Sequence, residues 1–106
     1  MVGLDRDGRI TTLNQKACEL LGCDRGAAIG ADWFESYLRP QDCRAVREVF
    51  EEIIAGNLEP AEYHENRVVS SDGCERLIAW HNTVLTDEAG TIIGTLSSGE
   101  DITERR

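Results

Sequence analysis

The side chains in this sequence that could do chemistry are four cysteines, two histidines and a few amides and hydroxyls in the C-terminal half. Cys18, Cys23, Cys43 and Cys74 are even in number, but no pair has the C-x-x-C spacing of a zinc or dithiol site. They read as reduced thiols, Cys18 as a small core hydrophobe and Cys74 as incidental surface. A redox sensor at Cys18 or Cys23 would need an exposed thiol with a lowered pKa. His64 and His81 both fall in extended stretches and could face one another across a hairpin, although a histidine on a strand is more often a half-buried or surface residue than a metal ligand.

Alternation along the second of these stretches puts Ile78, Trp80, Asn82 and Val84 on one face and Leu77, Ala79, His81 and Thr83 on the other. The Trp80 face is expected to point inward. Asn82 is then the telling residue, because a buried amide must find a partner in backbone, water or ligand. Thr95, Ser97 and Gly99 share a face of the following stretch, and turned inward they would line a pocket with Trp80 and Asn82. The competing reading is an ordinary core with locally satisfied hydroxyls. Catalysis has no visible apparatus: the sequence has no G-x-x-x-x-G-K-[ST], G-x-S-x-G or H-E-x-x-H, and the acidic pairs Glu51-Glu52 and Asp87-Glu88 fall on a helix surface and in a turn.

The elements that must position these residues follow from pattern. A length of 106 residues suits one hydrophobic core and is too short for two. Val2 to Leu4 and Arg9 to Leu13 read as strands joined by Asp5-Arg6-Asp7-Gly8, whose Asp-Gly pair is a turn signal. Asn14 can cap a short helix with Ala17, Leu20 and Leu21 on one face, ended by Gly22. From Asp24 to Gln41, Gly26, Gly30 and Pro40 interrupt Trp33, Phe34, Tyr37 and Leu38, so helical turns are expected. Asp42 is expected to cap a longer helix whose stripe is Val46, Val49, Phe50, Ile53 and Ile54, stopped by Gly56. Three strands follow, Glu62 to Ser70, Cys74 to Thr86 and Thr91 to Glu100, separated by turn compositions. The sheet must bury one side, and the helices are the cover available. The fold class is α+β, a five-stranded antiparallel sheet with helices covering one face.

Charge narrows the partners. With 20 acidic and 11 basic residues the formal charge is -9, which repels nucleic-acid phosphates and anionic lipid, so neither nucleic acid nor direct membrane contact is expected. No apolar run approaches a membrane span, and Met1-Val2-Gly3-Leu4 runs into charged residues without a secretory signal. A cytoplasmic location is expected, in a parent protein that could itself be membrane-anchored.

The order of elements, together with the strings DRDGRI followed by Asn14, GADWFESYLRPQD, SSDGCERLIAWHNTVLTDEAG and GTLSSGEDITERR, resembles the PAS family. The likeness runs from about Val2 to Arg106, so residues 1–106 are read as one domain, with 101–106 leading toward an output segment. It implies a non-catalytic sensor module of a larger signalling protein, commonly upstream of a histidine kinase in a two-component system. It also implies that Asp101, Ile102 and Thr103 form the output signature. There Thr103 can cap the segment that begins at Glu104, and Asp101 can accept turn amides or pair with Arg76. The flanking helix through which members often pair is missing, so a weak homodimer is expected. The light-sensing members carry an Asn-Cys-Arg-Phe-Leu-Gln type motif that GADWFESYLRPQDCR lacks, and the haem-binding members carry a histidine on the long helix, where Asp42 to Gly56 has none. Neither haem nor a flavin of that type is expected, and the cofactor is otherwise unknown. Two functions stay open: a small-molecule sensor with Trp80, Asn82, Thr95 and Ser97 at its ligand, or a ligand-free module that dimerises and relays strain.

Overall fold

The computed structural model describes residues 1–57 and 62–105. Arg106, which the sequence reading places in the output segment, lies outside the described residues. The elements are β1 (Val2–Asp5), β2 (Ile10–Leu13), α1 (Gln15–Leu21), α2 (Arg25–Ala28), α3 (Trp33–Tyr37), α4 (Pro40–Ile54), β3 (Tyr63–Val69), β4 (Glu75–Thr86) and β5 (Ile92–Asp101), then one 3-10 turn (Thr103–Arg105). The five strands form one sheet in the order β2-β1-β5-β4-β3, with every neighbouring pair antiparallel.

Two of the turns use the same device. Asp5 Oδ1 accepts from the amides of Asp7 and Arg9 at 2.9 and 3.0 Å, and Asp87 Oδ1 accepts from those of Ala89 and Thr91, both at 2.9 Å. Such aspartates tie down their own turn amides. Gly8 supplies the left-handed backbone, φ +81°, that closes the first turn. Helix α1 is bounded as its residues demand: Asn14 Oδ1 accepts from Ala17 N at 2.9 Å, and Gly22 ends it at φ +64°.

The start of α4 differs from expectation. Asp42 is not its cap: the helix begins at Pro40, with Arg39 in the cap position and no side-chain cap. Proline fits the first helical position because its missing N–H would have no partner there. Asp42 instead lies in the first turn, accepting from Arg39 Nε at 2.6 Å. The apolar stripe of α4 faces the sheet, with Phe50 and Ile53 buried and Val46, Val49 and Ile54 half-buried.

Phe34, Ile10, Leu21, Ile78 and Val68 are the most deeply buried side chains, and Phe34 meets Phe50 edge-on with ring centroids 5.3 Å apart. Cys18 is buried and Cys74 exposed. The two histidines do not face one another. The register pairs His64 with Trp80 and Tyr63 with His81, so the imidazoles leave opposite faces of the sheet. No group of three or more His, Cys, Asp or Glu among the described residues could hold a metal. No helix among them is long and apolar enough to cross a membrane.

Candidate functional site

The inner face of the sheet and α4 do not close completely. Between them lies a cavity of about 60 Å³. Val46, Val49, Phe50 and Ile53 form its helical wall, Trp33 and Phe34 of α3 its end, and Val2, Leu4 and Trp80 its apolar floor. Its polar groups are His64, Asn66, Asn82, Thr95 and Ser97. The side-chain period of two in a strand aims these residues at one space, because Trp80 and Asn82 alternate on β4 as Thr95 and Ser97 do on β5. Cross-strand register completes the set, with Asn82 opposite Ser97 and His64 opposite Trp80.

All four residues singled out for a pocket, Trp80, Asn82, Thr95 and Ser97, are brought together at this cavity. Val84, on the same face of β4, is not among its lining residues, and neither is Gly99. Gly99 lies beside the indole instead: a Cβ there would stand 2.7 Å from Trp80 Cζ3, so a side chain at this position would collide with the ring. Sequence reasoning missed His64 and Asn66. The alternation of β3 sets them on one face, but only its register against β4 shows that this face is the Trp80 face.

The polar groups are partly committed. Trp80 Nε1–H donates to Asn66 Oδ1 at 2.9 Å, and Ser97 Oγ donates to Asn82 Oδ1 at 2.6 Å. Trp80 also meets Trp33 edge-on, centroids 5.7 Å apart and planes at 85°, and Trp33 in turn packs on Tyr37. Arg47 closes this end from above, its guanidinium 4.6 Å from the Phe34 centroid and 3.1 Å from Asp32 Oδ2. Burial tends to raise the Asp32 pKa, but the Glu35 and Phe34 amides and Arg47 prevail and hold the carboxyl below its ordinary value.

On the other side of Trp80 a second groove, of about 310 Å³, runs between α1 and the end of β5, with Lys16, Leu20, Ser98 and Asp101 on its walls. Trp80 therefore borders both spaces. At the groove's end the chain leaves the sheet. Asp101 Oδ1 accepts from the Thr103 amide at 3.0 Å and its hydroxyl at 2.5 Å, while Oδ2 accepts from Arg76 Nη1 at 3.1 Å. Thr103 Oγ1 accepts from Leu77 N, and the buried Ile102 donates its N–H to Leu77 O, both at 2.9 Å. Thr103 is thus not the cap but the first residue of the 3-10 turn, and Asp101 supplies the capping carboxylate. Burial works to raise the Asp101 pKa, yet the Thr103 hydroxyl and amide and then Arg76 outweigh it and leave it lowered. A carboxyl depressed in this way stabilises the fold above its unfolded pKa, and the contribution disappears as pH falls through the folded value.

The conditions for a redox sensor are not met at Cys23. Burial raises its pKa despite a hydrogen bond with Tyr37, and the Tyr37 phenol is itself pushed up to about 12 by burial. Thiolate chemistry needs the opposite shift.

Among the described residues, a five-stranded antiparallel sheet with four helices laid over one face, a cavity between the layers and an exit strand beside it define an α+β domain. A family model described as PAS fold matches residues 1–106, and the chain belongs to the PAS family. The PAS domain of a protein from Colwellia psychrerythraea superposes with a TM-score of 0.83 at 24% identity, over 98% of this chain and 86% of that one. The PAS domain of the Cronobacter turicensis quorum-sensing receptor RpfR, in complex with C12:0, matches at 25% identity and a TM-score of 0.82, over 96% of this chain and 91% of that one. The same domain in complex with BDSF matches at 26% and 0.81, with the same coverage. No curated protein is similar enough to this chain to match it.

Proposed function

We propose that this domain senses a small, largely apolar molecule held between the sheet and α4, and passes its occupancy through Asp101, Ile102 and Thr103 to an output module of a larger signalling protein. A histidine kinase is the output class we favour, in a cytoplasmic protein whose PAS domains pair weakly as homodimers. The observation that carries the reading is the cavity itself, walled by the α4 stripe and both tryptophans and rimmed with hydrogen-bonding groups. The likeness to an RpfR domain solved in complex with C12:0 and with BDSF supports it. A ligand counts as a signal only if it binds two conformations differently, and the second groove beyond Trp80 leaves room for that ring to move. The relay-only alternative is favoured by one observation: the cavity's volume is about 60 Å³, space for a few waters, and Ser97 already donates to the Asn82 carbonyl.

Two results separate these readings. Freshly purified protein, denatured and analysed by mass spectrometry, should release one apolar small molecule in near-stoichiometric amount; release of nothing, from protein that also takes up no fatty acid, favours the relay. Asp101→Ala should cost about 0.5–2 kcal/mol of local stability, as loss of a cap does, and should alter the output balance of the intact parent with the core still folded. A lowered melting temperature with an unchanged response would reduce Asp101 to a cap.

A further inference from the structure

Three of the four tryptophans and tyrosines in this sequence, and two of its four cysteines, stand in one line. Trp80 borders the cavity and meets Trp33 at 5.7 Å between centroids, and Trp33 meets Tyr37 at 5.5 Å. All three rings are buried and at contact separation. The Tyr37 hydroxyl is in turn hydrogen-bonded with the Cys23 thiol. Cys23 is brought there by the way α1 ends. Gly22 N donates to Glu19 O at 3.3 Å and Cys23 N to Cys18 O at 3.1 Å, the paired closure that sets the residue after the glycine against the helix residue whose carbonyl it meets. Here both residues are cysteines, and their thiols interact. Tyr63, the fourth ring, is exposed on β3 and lies off this line.

We infer that Trp80, Trp33 and Tyr37 form a relay that carries one-electron oxidation from the cavity to Cys23 and Cys18, which close a disulfide. The oxidant is an organic peroxyl radical, an apolar species that takes up one electron and one proton and leaves as a hydroperoxide. Trp80 loses the electron, Trp33 refills Trp80, and Tyr37 refills Trp33. An indolyl radical oxidises a phenol at neutral pH, so the vacancy runs downhill to Tyr37, whose hydroxyl proton is lost. Cys23 then gives its S–H hydrogen to the phenoxyl oxygen. The Cys23 thiyl bonds to the Cys18 sulfur, the Cys18 proton leaves, and the extra electron of the resulting radical anion passes to dioxygen. One peroxyl radical, one dioxygen and two thiols thus give a hydroperoxide, a superoxide, a proton and a disulfide. No thiolate is required: hydrogen donation uses the protonated thiol, the form that burial favours at Cys23. The new bond fixes the end of α1, whose Leu20 and Leu21 wall the groove that reaches Asp101.

Flash photoionisation with light that only indole absorbs, the ejected electron being taken up by a cobalt(III) ammine, creates the tryptophan radical inside the folded protein. Its absorption should decay at a rate independent of protein concentration while a phenoxyl band rises in its place and then decays. After repeated flashes in air, peptide mapping should find Cys18 joined to Cys23. Tyr37→Phe keeps the ring against Trp33 and removes only the hydroxyl, so it should lose both the phenoxyl rise and the disulfide. Cys23→Ala, at a half-buried position, should leave the phenoxyl radical standing with a cooperative melting curve, and serves if the first variant does not fold. Decay of the indolyl radical without a phenoxyl rise overturns the relay. So does a phenoxyl band undiminished in Tyr37→Phe, which would place the radical on Tyr63, or a phenoxyl lifetime unchanged in Cys23→Ala.

Discussion

Trp80→Ala is expected to destabilise the domain by about 3–5 kcal/mol, the usual cost of emptying a large buried aromatic site. The indole is 6% exposed, stacks edge-on with Trp33, lies beside Gly99 and gives its N–H to Asn66. It also separates the cavity from the groove beside α1, so its removal joins two spaces and the structure can collapse only partly around the gap. Urea denaturation of the two proteins, with equal m-values, measures the difference. A loss under about 1 kcal/mol, as at a surface site, would mean that the Trp80 face of β4 does not pack against the helices.

Gly8→Ala should be nearly as damaging, by about 2–5 kcal/mol, combining a left-handed residue that gains a Cβ with overpacking of a filled core. A Cβ at Gly8 would come within 2.3 Å of Phe34 Cε2, and Phe34 is 1% exposed. The same turn holds α3 in place, since Trp33 N donates to Gly8 O at 3.0 Å, so the clash also shifts a wall of the cavity. Gly90→Ala is the matched control: its φ is +85°, close to the +81° of Gly8, but a Cβ there meets nothing within 4 Å. It should show the backbone cost alone, about 1–2 kcal/mol. Thermal melts of the pair decide the matter, and equal losses would show that Phe34 yields freely.

What could be read from the residues was whatever short-range chemistry dictates. Asn14 before an apolar face and Gly22 after it delimit α1 in the sequence and in the structure, and Asp5-Arg6-Asp7-Gly8 closes its turn with its own carboxylate. The α4 stripe and the period of two in β4 and β5 gave the layers and the inward face, and hence Trp80, Asn82, Thr95 and Ser97. Local signals failed where two of them competed. Asp42 and Pro40 both suit a helix start, and proline, whose φ is already helical, takes the earlier position. At the exit, Thr103 is as good a capping residue as Asp101, but its hydroxyl is drawn to Leu77 N across the sheet. His64 and Asn66 escaped for a different reason. Their membership of the site depends on how β3 is set against β4, and a slip of one residue would turn both outward.

The middle position of β5 in the sheet bears on how any message leaves the domain. Thr95 and Ser97, which touch the cavity, and Asp101, which holds the exit, belong to one uninterrupted strand. Four residue steps of extended chain lead from Ser97 to Asp101, roughly 13 Å at the usual rise. On the proposed reading, detector and transmitter would be a single covalent rod, stiff along its length and laced to a neighbour on either side at Thr95 and Ser97. On that reading, a pull at one end would reach the other without a chain of side-chain contacts to carry the movement.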